Sequence, residues 1–155
     1  MSEVAYLTLK VDGTQVKGGV QEKETKGTTE VQGYEHTITV PTHRQTGAAT
    51  GETMHGPIFI TKPMCRATPE LQQALNEHKV CEGSVEFYRT RDGKRKHWFT
   101  IEFKDARLVE VRQYKELALE ANDKPDLESL QFRYRKISWS HKEQNKESEA
   151  DWLDK

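Results

Sequence analysis

The chain has 155 residues, of which 34% are apolar and 32% charged, so one domain with a thin core is expected. Its 24 Lys plus Arg nearly cancel 25 Asp plus Glu, which argues against a global field suited to nucleic acid or to an anionic membrane. No apolar run approaches membrane-spanning length, and MSEVAYLTLKVDG lacks a basic start followed by an apolar stretch. The expectation is therefore cytoplasmic synthesis and assembly, with any secretion using a route that reads no cleavable leader.

Residues 5–11 alternate Ala5, Leu7, Leu9 and Val11 against Tyr6, Thr8 and Lys10, the period of a half-buried strand. Asp12-Gly13 turns it, and a polar, glycine-rich stretch runs to Thr29. A second strand region covers 30–40, with Tyr34, His36, Ile38 and Val40 on one face and Glu35, Thr37 and Thr39 on the other. Pro41 ends it, because proline cannot donate to a ladder. Residues 42–56, THRQTGAATGETMHG, form the longest irregular stretch before the helix, a length that is usually functional or disordered. Residues 57–61 (PIFIT) resume an extended pattern.

Thr68-Pro69-Glu70-Leu71 predicts a helix start, with Thr68 as cap, proline at the first helical position and an acid in the first turn. Leu71, Ala74, Leu75 and His78 share its inner face, and the helix is expected to stop before Gly83. Residues 84–89 and 96–103 flank an Asp92-Gly93 turn and predict a hairpin, and 106–111 return as a strand after a Lys104-Asp105 corner. Residues 115–126 read as a polar connector containing Pro125. In LQFRYRKISW (130–139), Leu130, Phe132 and Tyr134 alternate, and then Ile137 and Trp139 fall out of phase. A bulge near Arg135-Lys136 would absorb the extra residue. Residues 141–155 read as a charged tail, loose except where Trp152 and Leu153 meet a surface, so the domain is placed at 1–140. One helix among many strands predicts a mainly β fold, a sandwich or barrel capped by that helix.

Reactive chemistry is hard to find. Gly47 and Gly51 enclose only three residues and Glu52 stands where a phosphate-binding loop needs lysine, so the glycines are read as letting the loop turn and approach another backbone. His43 and His55 end the same loop without a carboxylate or Cys at ligand spacing, and no metal is assigned. His36, His78, His97 and His141 read as ordinary surface or edge residues. No nucleophile–base pairing is visible, so neither an enzyme nor a cofactor is expected. Cys65 and Cys81 flank a helix whose ends lie roughly 18 Å apart at 1.5 Å per residue. A disulfide needs Cα atoms within about 7 Å, so two reduced thiols are expected.

Two features bear on partners. The basic tip from Arg89 to His97 lies beside Trp98 and Phe99, which makes a single-stranded nucleic-acid-binding module the alternative reading. Large neighbours sit on both faces of several strands, namely Phe87 and Tyr88, Trp98 and Phe99, Leu108 and Val109. A partner subunit is the economical cover for the second face.

Taken together, AYLTLK, GYEHTITVPTHRQTGAATGETMHGPIFITK, the helix beginning TPEL, VEFYRT…HWFTIEFKDARLVEV and the terminal FRYRKISW with a late DW resemble the Hcp family of type VI secretion tube proteins over nearly the full length. The cysteines and the short charged tail depart from that pattern without touching its motifs. The resemblance implies two packed antiparallel sheets forming a small β-barrel with one helix, assembled as a homohexameric ring whose copies stack into a tube inside a contractile sheath. It also implies sheath and spike partners, effector proteins carried in the lumen, and no nucleic acid or membrane insertion. Thr42, Arg44, Gln45, Thr46, Gly47, Thr50 and Gly51 are the expected ring or stacking contacts. Tyr134, Ile137 and Trp139 are divided between core and ring closure, and Glu35, Thr37 and Thr39 are placed toward the lumen or bulk solvent.

Overall fold

A computed structural model of the chain describes residues 3–21, 27–115, 117 and 126–152. The elements run β1 (Glu3–Val11), β2 (Thr14–Val16), β3 (Thr29–Val31), β4 (Gly33–Thr39), β5 (Met54–Pro63), α1 (Thr68–Asn76), β6 (Val80–Arg91), β7 (Lys94–Tyr114), β8 (Leu127–Arg133), β9 (Lys136–His141) and β10 (Lys146–Asp151). The fold is mainly β with one helix, as the alternation predicts. The ten strands join in one antiparallel network whose main path is β2-β1-β6-β7-β8-β5-β4. The path then returns on itself. β3 pairs with β1, and after the single residue Gln32, whose N–H donates to the Thr61 carbonyl at 2.7 Å, β4 pairs with β5. Such a return supports the barrel that the resemblance implies.

The inward faces supply one core. Leu7, Leu9, Val85, Ile101, Phe103, Leu108, Leu130, Phe132, Ile58 and Ile60 are buried together, with Leu71 of the helix packed on them. The Phe103 and Phe132 rings stand 5.1 Å apart. Burial of one such side chain contributes about 1.5–3 kcal/mol, so this cluster is the main favourable term.

Several boundaries differ from the sequence reading. The polar stretch after Asp12-Gly13 contains β2, because both turn residues take positive φ (52° and 84°) and close a two-residue hairpin. The region 30–40 divides at Gln32, and Val40 is exposed. β5 begins at Met54. Gly56 and Pro57 lie opposite Thr37 in a bulge, which removes the ladder bond that proline could not make.

Thr68 is not the cap. Ala67 holds that position without a side-chain bond, while the Thr68 hydroxyl accepts from the Cys65 N–H at 3.1 Å. The helix ends at Asn76, so His78 leaves its face in a left-handed conformation. Gly83 lies inside β6 rather than at a helix stop. The expected bulge at Arg135-Lys136 is a strand break, with β8 and β9 pairing to different halves of β7. Residues 146–151 form β10 on the edge of β9, so that part of the tail is a strand and not loose. Leu153 and most of the 115–126 connector, including Pro125, lie outside the described residues.

Two charges inside the core escape any reading by periodicity. Lys62 and Glu128 face each other across the β5–β8 ladder and are completely buried. Lys62 Nζ donates to Glu128 Oε1 and, at 3.0 Å, to the Pro63 carbonyl. Thr68 Oγ1 donates to the same carboxylate oxygen at 3.0 Å. The pair therefore ties the helix start to the sheet. Removing one partner strands a buried charge, whereas replacing both by apolar residues removes the desolvation cost as well.

Glu128→Ala is accordingly expected to cost about 3–5 kcal/mol in urea unfolding, while the double variant Lys62→Met/Glu128→Leu stays near wild type. Equal loss in both would contradict this account. At Gly83 an added Cβ meets Phe103 Cζ at 2.6 Å and Leu9 Cδ1 at 3.2 Å. Gly83→Val should lose about 1–3 kcal/mol by overpacking, with partial recovery when Phe103→Leu is added.

Candidate functional site

The loop between β4 and β5 is ordered, in contrast to its irregular sequence. Thr42 bridges Ala49, His43 N–H donates to the Ala48 carbonyl at 2.8 Å, Gly47 N–H to the His43 carbonyl at 2.9 Å, and Thr50 N–H to the Pro41 carbonyl at 2.9 Å. Gly47 turns the tip at φ 72°, where a side chain would be strained. A Cβ at Gly51 would make only an ordinary contact with Pro41, at 3.5 Å, so no close backbone approach within the subunit requires glycine there. Thr42, Arg44, Gln45, Thr46, Gly47, Thr50 and Gly51 are all exposed. The result is a small, stiffened finger whose polar groups point outward.

Its base is held by an arrangement that the sequence did not reveal. His36 Nε2 on β4 lies 2.8 Å from the Tyr134 hydroxyl, and His55 Nδ1 on β5 lies 2.6 Å from the same oxygen. The Trp152 indole N–H donates to the Tyr134 carbonyl. Burial lowers the pKa of His36, with the His55 charge adding to the effect and a Gly56 backbone hydrogen bond opposing it. Burial raises Tyr134, against a smaller opposing influence of Arg133, and also raises Tyr34, whose buried hydroxyl has no partner among the described residues. A signal was present: His36 shares the buried phase of Tyr34 and Ile38. His43 does not join His55, since its Nδ1 accepts from the Gln45 N–H at 3.2 Å.

Of the three residues divided between core and ring closure, Tyr134 and Ile137 are core, at 4% and 1% exposure, and Trp139 is half-buried against that core. Glu35, Thr37 and Thr39 are exposed on β4. A broader polar face lies elsewhere. Register aligns Thr8, Ser84, Glu102, Ser138 and Glu149 in one row across β1, β6, β7, β9 and β10. Tyr6, Glu86, Thr100, Ser140 and Glu147 form the adjacent row. These rows carry hydroxyls and carboxylates, and their one aromatic, Tyr6, is buried beneath Arg95.

Two arginines of the basic hairpin are engaged within the chain. Arg89 lies 4.3 Å over the Trp98 ring and donates to Glu143 at 3.0 Å. Arg95 donates to the Tyr6 hydroxyl at 3.1 Å and lies over Tyr6 and Tyr88. Trp98 also meets Phe87, Phe99 and His141, so one face is capped by Arg89 and ring neighbours surround the rest. Two of the suspected double-faced pairs prove to be bulges. Phe99 pairs Phe87 while His97 pairs Tyr88, leaving Trp98 as the extra residue, and Val109 is likewise extra between Leu108 and Glu110. Cys65 and Cys81 are free, and burial raises the Cys81 thiol. Among the described residues no helix is long and apolar enough to cross a membrane, and no three His, Cys, Asp or Glu side chains gather as a metal site.

This fold has known counterparts. The family described as "Type VI secretion system effector, Hcp" matches residues 6–141. The "Major exported protein" of Pseudomonas aeruginosa is 32% identical over 126 residues, covering 79% of this chain and 73% of that protein. A double mutant of Hcp1 from the E. coli EAEC 042 pathovar superposes with a TM-score of 0.86 at 28% identity, covering 96% of this chain and 98% of that one. The secreted protein Hcp3 from Pseudomonas aeruginosa gives 0.80 at 24% identity over 97% and 99% of the two chains, a likeness of fold. The antiparallel strands, the single helix and the matched residues together make this chain a member of the Hcp family of type VI secretion system proteins.

Proposed function

We propose that the chain is a structural tube subunit, six copies closing into an open ring and rings stacking into a tube that is expelled when a surrounding sheath contracts. A head-to-tail contact between unlike surfaces closes into a ring when its rotation permits, and an axial contact repeats it. The observation that carries the reading is the polar five-strand face. A lumen that passes varied cargo must not grip it, and these rows of Ser, Thr and Glu, whose one aromatic, Tyr6, is buried beneath Arg95, offer polar groups without an exposed apolar foothold.

On this reading the five-strand face lines the lumen and holds effector proteins, and Glu35, Thr37 and Thr39 extend the polar surface on β4. The finger carrying Thr42, Arg44, Gln45, Thr46, Gly47, Thr50 and Gly51 reaches an adjacent subunit or ring. Trp139, half-buried on β9, is assigned to ring closure, with Tyr134 and Ile137 supporting it from the core. Sheath and spike proteins are the further partners. Assembly in the cytoplasm precedes export, and the subunit's role is structural.

Negative-stain microscopy of the purified protein should show rings with an open centre, and a strictly monomeric sample at high concentration would sink the reading. Gly47→Val/Gly51→Val should leave the subunit folded by circular dichroism and weaken ring stacking by at least about tenfold, ~1.4 kcal/mol. Stacking at the wild-type level would remove the finger from that role. Fluorescence anisotropy with single-stranded DNA should give no tight, salt-sensitive binding, because the hairpin's Arg89 and Arg95 are engaged internally.

A further inference from the structure

We propose that His36, Tyr134 and His55 form a proton-operated latch that holds the base of the 42–53 finger closed near neutral pH and releases it in acid. The latch itself rests only on geometry, whereas its consequence for stacking rests on the finger role proposed above. His36 is on the strand entering the finger and His55 on the strand leaving it, and both rings meet one hydroxyl at 2.8 and 2.6 Å. Tyr134 in turn belongs to the corner between β8 and β9, so one oxygen joins three separate parts of the chain.

Proton counting shows how the latch works. A phenol has one hydrogen to give and lone pairs to accept. With both imidazoles neutral, Tyr134 donates to one ring and accepts from the other. With one added proton the arrangement still balances, because the charged ring donates and the neutral ring accepts. With two added protons both rings donate, the phenolic hydrogen has neither ring left as acceptor, and two cations face the same oxygen. The second proton therefore breaks the junction.

Surrounding groups reinforce this. Arg133 of β8 donates to the His55 carbonyl at 3.4 Å and adds positive charge. Arg135 of the corner is engaged with Asp105 and Asp151. From β4 the only other titratable group turned inward is Tyr34, whose influence on the cluster is through Tyr134. A cleft of about 280 Å³ lined by Met54, His55, Arg133, Tyr134 and Trp152 opens beside the junction and gives protons access. His36 is already held below its ordinary value by burial and by His55. The open form thus binds protons more readily than the closed one, and acidification through about pH 6.5 shifts the balance toward opening.

Hydrogen exchange on the full chain at about pH 7.5 and about pH 5, corrected for intrinsic rates, reads the latch directly. Amides of Ile38, Thr39, Met54 and His55 should lose at least about tenfold protection in acid while the β6–β7 ladder keeps its own. His36→Gln/His55→Gln, which keeps polar groups at both positions without titrating, should abolish that loss. Unchanged protection in wild-type acid samples, or an undiminished loss in the double variant, would overturn the latch. So would tight Zn2+ binding that requires both histidines, which would make the cluster a metal centre. Ring stacking measured by sedimentation at the same two pH values separates the two readings. An opened finger with undisturbed stacking keeps the latch and removes the finger from the stacking contact.

Discussion

A strand of 21 residues cannot remain flat against one set of neighbours, because strands twist, and β7 resolves this by bending at Asp105 with φ 51°. Before the bend it lies between β6 and β9, and after it the strand pairs with β8. The chain returning as β8 and β9 must break at the same level. The Arg135 N–H reaches the Lys104 and Asp105 carbonyls at 3.3 and 3.2 Å, and its guanidinium approaches Asp105 and Asp151. If that corner were straight, Phe103 and Phe132 would not meet, and the polar rows would not share a face with β9 and β10.

The same corner explains where charge is tolerated. Polar groups collect on the outward face of β1, β6, β7, β9 and β10, where carboxylates stay solvated. The exception is Lys62 with Glu128, which the β5–β8 register brings opposite each other beneath the helix start. A buried pair of this kind adds little net stability but strongly penalises any register that separates its members. It therefore acts with the core to select one alignment of β5 on β8. The Tyr134 hydroxyl plays a comparable part at the finger, joining β4, β5 and the corner through a single oxygen.

Local alternation was legible where a strand has one wet and one dry face. β1 apart from the buried Tyr6, the exposed Glu35, Thr37 and Thr39 of β4, and the hairpin around Asp92-Gly93 follow from a period of two. Alternation misled wherever a bulge inserted a residue. Trp98 beside Phe99 and Val109 beside Leu108 looked like strands apolar on both faces, yet each pair marks an extra residue in β7. Thr68 misled for a different reason. Its hydroxyl has the chemistry of a local cap, but it accepts from the Cys65 N–H in the preceding turn and donates to a buried carboxylate sixty residues away in sequence.

By itself the sequence determined the class of fold, the family resemblance, the helix start at Pro69-Glu70 and the position of the finger, because periodicity, proline and glycine act over a few residues. Only the tertiary structure decided that Arg89 and Arg95 cover their own aromatics, that Ile137 belongs to the core, and that His36 and His55 meet at Tyr134. Each of these is a contact between side chains far apart in the chain. Such contacts are set by register and by the direction β7 takes after Asp105, and although the sequence marks a corner at Lys104-Asp105, local spacing does not say which strands it brings together.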